Sequence, residues 1–235
     1  MLMNLEKEKK DVALQSKGPF AEGLDRFDSS DYTLPRVRLL QATSKEVQEG
    51  VSKPGMLVNS LTGKVYGETV EFIPFMVQKH RIRFDGLNLA CRSWDCKNGI
   101  GDPGGVCEEC HFAEWGRNQE APECSLIYTY PSIIVTDDQS EETPIAISFM
   151  RTSIPAAKKL NTMLKTDFRG SVYELFSEKR ENQKGKFYVF NVRKKRLLEP
   201  NERQAVLELR NLFAGKTIEV EIEDEFQNEE DDSPF

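Results

Sequence analysis

The apolar positions of the chain fall into short strand-like runs separated by polar turns, with two longer stretches at helical spacing. Arg36-Val37-Arg38-Leu39-Leu40 opens the strand text, and residues 56–59 predict a second short strand before the turn Leu61-Thr62-Gly63-Lys64. Residues 70–84 form the first long β run, rich in Val, Ile and Phe; Pro74 marks an edge or a bulge and Asp85-Gly86 the turn that ends it. Strand text resumes at 125–135 and again at 143–150, across a polar turn at 137–142. Two further strands are expected at 172–176 and 186–192, joined by a charged loop at 177–185.

The first helix is expected over 153–165: Ser153 suits the N-cap, Pro155 the first turn, and Ile154, Ala157, Leu160, Met163 and Leu164 form one stripe. The second runs from about 199 to 213 on Ala205, Val206, Leu209, Leu212 and Phe213, and Gly215 stops it. Ile218, Val220 and Ile222 then alternate with charge, predicting a last strand over 216–222. A mainly β chain with a few helices, and a helix after the third of five short strands, has the order of the oligonucleotide-binding barrel, the OB-fold.

The domain organisation follows from what remains. Residues 1–30 are polar and charged, and predict a flexible N-terminal arm. Residues 31–220 hold the barrel, interrupted at 86–124 by a Gly-, Pro- and Cys-rich insertion with no hydrophobic period. Residues 221–235 contain eight carboxylates and neither Lys nor Arg, so they predict a solvated acidic tail. Removing those eight acids from a formal charge of −7 leaves residues 1–220 at +1, near enough to neutral for the body to carry a basic groove. No apolar run approaches the roughly 18 residues of a membrane span, and the first residues lack a signal-peptide core. A cytoplasmic protein is expected.

Five cysteines cannot all pair within one chain, and a reducing compartment disfavours disulfides, so clustered thiols point to metal. The two-residue gap of Cys107-Glu108-Glu109-Cys110 lets two thiolates bind one ion, and a tetrahedral Zn2+ site orders a loop that has no core of its own. Cys91, Cys107, Cys110 and Cys124 are the favoured ligands, two anchors at strand ends plus one knuckle turned by Gly104-Gly105. Cys96 is the alternate to Cys91, and His111 the weaker candidate, crowded by Cys110.

Sequence-tolerant binding of a single strand needs cations along the phosphates and aromatic faces for the bases. Lys79, Arg81 and Arg83 precede Phe84; Trp94 lies in the insertion; Lys186 leads into Tyr188 and Phe190; Arg193, Lys194 and Arg196 close that strand. Alternation puts Tyr188 and Phe190 on one face and Phe187, Val189 and Asn191 on the other, and one face must be core. No phosphate-binding Gly-rich loop is present, and two histidines offer few proton shuttles, so no enzymatic chemistry is expected.

Two motifs carry a family resemblance. The ending Glu230-Asp231-Asp232-Ser233-Pro234-Phe235 resembles the tail of bacterial single-stranded-DNA-binding proteins, an acidic run followed by Pro-Phe, and several phage counterparts end in acids and Phe. Cys91, Pro103-Gly104-Gly105-Val106-Cys107-Glu108-Glu109-Cys110, Trp115 and Cys124 are similar to the cysteine pattern of phage DNA-binding proteins, with Cys96 outside it. The resemblance implies a phage protein that coats single-stranded DNA during replication, recombination and repair, holds one structural zinc, and recruits partner enzymes through Asp231, Asp232, Pro234 and Phe235. The rival expectations are a zinc-bearing transcription or assembly factor that grips a polymerase, and a metal-dependent nuclease. A homo-oligomer is compatible with all three.

Overall fold

Pro74 divides the longest β run of the sequence, and that division sets the sheet. In the computed structural model the chain is described over residues 33–86, 88–117, 120–135, 144–167, 169–183 and 185–218. The expected N-terminal arm, the turn at 137–142 and the acidic segment 221–235 lie outside them. The elements are β1 (Val37–Leu39), α1 (Lys45–Gln48), β2 (Leu57–Asn59), β3 (Val65–Gly67), β4 (Thr69–Pro74), β5 (Gln78–Asp85), β6 (Asn88–Ser93), β7 (Asn98–Gly101), β8 (Gly105–Val106), β9 (Ser125–Val135), β10 (Ile145–Met150), α2 (Ile154–Thr166), β11 (Ser171–Asn182), β12 (Gly185–Leu197) and α3 (Pro200–Phe213). The protein is mainly β with few helices. Among the described residues no helix is long and apolar enough to cross a membrane.

The main sheet runs β12-β11-β4-β9-β5-β6-β7-β8, with β10 on the other side of β9, and β1-β2-β3 form a separate antiparallel sheet. The single strand expected over 70–84 is two strands: β4 ends at Pro74, still in register with Ser132, and β5 resumes at Gln78. β4 pairs with the second half of β9 through Phe72↔Ile134, and β5 with the first half through His80↔Ile127.

The described sheets do not close into the expected five-stranded barrel by backbone pairing. The chain around β1 spans the two edges instead. Arg36 makes a parallel bridge to Ala146 on β10. At the other edge the Gln41 amide bonds β12 twice: Nε2 donates to the Tyr188 carbonyl at 2.9 Å, and Oε1 accepts from the Tyr188 N–H at 2.9 Å.

Phe72, Tyr130, Ile147, Phe149, Leu175 and Val192 form the larger core, and α2 packs on it through Ala156, Ala157 and Leu160. The small alanines let the helix approach closely, and the Tyr130 hydroxyl finds Asn161 Oδ1 at 2.8 Å. Phe72 and Phe149 are fully buried, each worth about 3–5 kcal/mol against Ala. On the opposite face Phe75, Ile82 and Ile127 meet Phe213 and Ile218, with Val206, Leu209 and Leu212 of α3 packed against them.

Both helices keep the extents their stripes predict, but Ser153 does not cap α2. Its Oγ accepts from the Phe190 N–H at 3.2 Å, which ties the helix start to β12. The charged loop expected at 177–185 is instead the far end of a long hairpin, because β11 and β12 stay paired from Ser171↔Leu197 to Asn182↔Gly185. Residues 216–218 are not strand, and the rest of the expected last strand is outside the described residues.

Candidate metal centre and nucleic-acid interface

The insertion carries more regular structure than its composition suggests. β6, β7 and β8 extend the main sheet as a small meander, pairing Cys91 with Gly101, Arg92 with Ile100 and Asn98 with Val106. Asp95 makes the turn between β6 and β7: its Oδ1 accepts from the N–H groups of Lys97 at 2.7 Å and Asn98 at 2.9 Å. The Asn98 and Lys97 backbone bonds hold that carboxyl far below the usual range. Gly104 and Gly105, at φ 68° and 78°, reverse the chain before Cys107, the turn the pair predicts. The Cys107 N–H donates to the Lys97 carbonyl at 2.8 Å, and the Cys124 N–H to Phe112 at 2.8 Å, so the loop returns to the sheet where β9 begins.

Those tethers bring four thiols to one place. Cys91, Cys107, Cys110 and Cys124 line a single small cavity with Arg81, Ser93, Gly99, Gly104 and Ala113. Cys96 does not line it, and His111 stacks on Phe112 at 3.9 Å. Burial pushes the Cys124 thiol up, against the pull of Arg81. Among the described residues no group of three His, Cys, Asp or Glu side chains is close enough as it stands to hold an ion. The four cysteines share the lining of one cavity.

Two arginines assigned by sequence to a DNA groove are engaged with this insertion. Arg81 lines the thiol cavity, and its Nη1 donates to the Cys124 carbonyl at 3.5 Å. Arg83 lies 3.7 Å over the Phe112 ring, and bonds Glu123 Oε2 and the Asp102 carbonyl, both at 3.3 Å. Lys79 is exposed, with Nζ 5.8 Å from the Tyr128 ring centroid. Phe84 is half-buried against the α3-side core. Trp94 stands between the Arg92 guanidinium, at 4.6 Å, and the His80 ring, at 5.7 Å. Burial, then Arg92, lowers the His80 pKa from 6.5 to about 4.

The second basic run is neutralised where it stands. Arg193 and Lys195 both pair with Glu174, a carboxylate only 4% exposed, and Lys195 also reaches Glu71 at 3.5 Å. Burial works against ionising Glu174, but the Lys195 and Arg193 bonds outweigh it and hold its carboxyl below the ordinary value. Lys194 pairs with Asp167 at 3.2 Å. Arg196 binds Glu202 in fork geometry, at 2.6 and 2.7 Å. Phe190 is a core residue, edge-on to Phe149, and offers no face for stacking. Of the groove expected at Phe190 and residues 193–196, the structure places Phe190 in the core and the four cations, partly exposed, in an ion-pair network.

The distal half of the same hairpin differs. β4 pairs with β11 only from Tyr173↔Phe72 to Phe176↔Thr69, so residues beyond 177 project as a two-stranded ribbon. There Lys179 is in register with Tyr188 and Arg180 with Phe187, Arg180 also pairing with Glu178 Oε1 at 3.3 Å, and exposed Lys186, opposite Glu181, sits near the tip. Sequence reasoning missed Lys179 and Arg180 because it treated them as loop. Continued alternation through 177–182 was the available signal. Asp231, Asp232, Pro234 and Phe235 lie outside the described residues.

Comparison with protein families matches residues 6–95 and 106–218, two segments that hold Cys91, Cys107, Cys110 and Cys124 and leave out Cys96 and the acidic tail. No curated protein and no solved structure matches the chain. The family match covers most of its length, and the protein belongs to the Pam3 phage gp34-like family.

Proposed function

We propose that this phage protein binds single-stranded DNA, coating transient strands during replication, recombination and repair, and that its acidic segment 221–235 recruits partner enzymes. The observation that carries the reading is the projecting half of the β11–β12 hairpin, where Lys179 and Arg180 oppose Tyr188 and Phe187. Cations for phosphates interleaved with rings for bases are what a sequence-tolerant single-strand site requires. The sheet is read as an opened relative of the oligonucleotide-binding barrel, its gap spanned at Arg36 and Gln41. No covalent step is part of this function.

One zinc ion belongs to the proposal, held by Cys91, Cys107, Cys110 and Cys124, with Cys96 outside the set. The shared cavity supports that choice, since it contains those four thiols together. Zinc would supply folding energy rather than reactivity, because four thiolates leave no open position. Arg81 in the cavity wall offsets part of the charge that thiolates bring.

Titration of labelled oligo-dT and of a duplex at several salt concentrations tests the function. Submicromolar, salt-sensitive binding to the single strand with weak duplex binding is expected; equal affinity for both overturns it. Elemental analysis of the purified protein and of Cys107→Ser tests the metal, with about one zinc per chain expected in the first and a loss in the second. A second reading, the zinc-bearing assembly factor, is favoured by Ile100 and Trp115, which stand 71% and 65% exposed on the insertion. It predicts zinc without oligonucleotide binding.

A further inference from the structure

Tyr188 occupies the point where the side-chain seam and the projecting ribbon meet. Its ring lies directly on Gly55, where a Cβ would stand 2.6 Å from Cε1 and 2.8 Å from Cδ1. Gly55 holds φ at 90°, a conformation that other residues rarely adopt, and its N–H is fixed to the Leu40 carbonyl at 2.7 Å. The Tyr188 backbone is gripped on both of its polar groups by the Gln41 amide, at 2.9 Å each. The ring is thus seated from below and held from behind, yet it is only half-buried.

The neighbouring charges match a polyanion. Lys179 is directly across the ladder from Tyr188, Lys186 is two residues along the same face, and Lys53 is two residues from Gly55. All three are exposed and, among the described residues, in no ion pair at contact distance, although Glu181 lies across the ladder from Lys186 on the same face, so the lysines outnumber the acid there. Along this face of β12, Val192 and Phe190 are core, so Tyr188 is the last ring before solvent.

We propose that Tyr188 is a preformed stacking platform for a base of a single-stranded nucleic acid, with Gly55 and Gln41 as its positioning residues and Lys53, Lys179 and Lys186 meeting the adjacent phosphates. This rests on the single-strand reading above. Stacking on a fixed ring tolerates any base, since every base has a π face.

The test uses the full chain and an oligonucleotide of thymidines carrying 5-iodo-deoxyuridine. Irradiation is expected to cross-link Tyr188, located by mass spectrometry of the digested complex. Tyr188→Ala is expected to weaken binding about tenfold, and Tyr188→Phe to stay within about twofold. The circular dichroism and melting of each variant separate loss of the platform from loss of the fold. Binding that persists in a folded Tyr188→Ala with cross-links elsewhere overturns the platform and leaves the single-strand function standing. An unmutated protein that fails to bind the oligonucleotide overturns both.

Discussion

Both halves of the β11–β12 hairpin are rich in cations, but the basal ones are all paired, whereas in the distal half Arg180 pairs with Glu178 and, among the described residues, Lys179 and Lys186 stand without a contact ion pair. In the basal half Arg193, Lys194, Lys195 and Arg196 each find a carboxylate, because β11 supplies Glu174, β4 supplies Glu71, the residue after α2 supplies Asp167 and α3 supplies Glu202. The distal half has left those neighbours behind. Lys179 faces Tyr188 and Lys186 faces the exposed Glu181 across the ladder, neither lysine in an ion pair at contact distance among the described residues, so their charge is more open to a partner than that of the basal run. A basic run read along the chain is only a potential field. Which part of it survives folding depends on what packs across the strands.

Four measurements can break that contrast. The largest effect is expected from replacing Arg193 and Lys195 together by Gln, which leaves the Glu174 carboxylate buried without its partners. Urea unfolding should show a clear loss of stability, moderated because both cations are themselves half-exposed. Oligonucleotide affinity should stay within about twofold; a large loss would move the binding surface back to the basal half.

Acid comes next. The carboxyls of Glu174, Asp167 and Glu202 are all held below their ordinary values of 4.5, 3.8 and 4.5. Depressed folded values mean that the stability they give is complete above those ordinary values and lost as the pH falls through the folded ones. Thermal melts from pH 7 to 3 should therefore fall less steeply at the acid end for the double Gln variant than for the unmutated protein. Parallel curves would deny the network its role. A smaller effect is expected from Arg196→Lys, which keeps the charge but loses the fork to Glu202, about 0.5–1 kcal/mol in the same urea assay.

The smallest stability change is expected in the distal half, where Lys179→Gln with Lys186→Gln should stay within about 0.5 kcal/mol. That pair should instead flatten the slope of log affinity against log salt by about 1.4, two phosphates' worth for a single strand. An unchanged slope would remove the ribbon from the interface.

Much of the secondary structure was legible in the chain. The stripes of α2 and α3 fix both helices, and the runs at 125–135 and 143–150 become β9 and β10. The cysteine spacing anticipates the shared cavity, since the knuckle and the two anchors reach one site through local tethers. Long-range pairing was not legible. Nothing in Arg81 or Arg83 announces that the insertion folds back over them, and nothing in Gly55 announces Tyr188, more than a hundred residues away. The division at Pro74 carried a local signal, but where β5 would resume along β9 did not. Ion pairing of residues 193–196 required knowing which strand lies beside which.

The Gln41 seam has a colloidal consequence. An outermost strand with free donors and acceptors is a template on which a second molecule can add and a fibre can grow. On β12 both polar groups of Tyr188 are taken by Gln41 and the N–H of Phe190 by Ser153, so the strand is blocked at its centre by side chains of its own chain. Molecules crowded side by side can then stay soluble, without seeding cross-β growth along that strand.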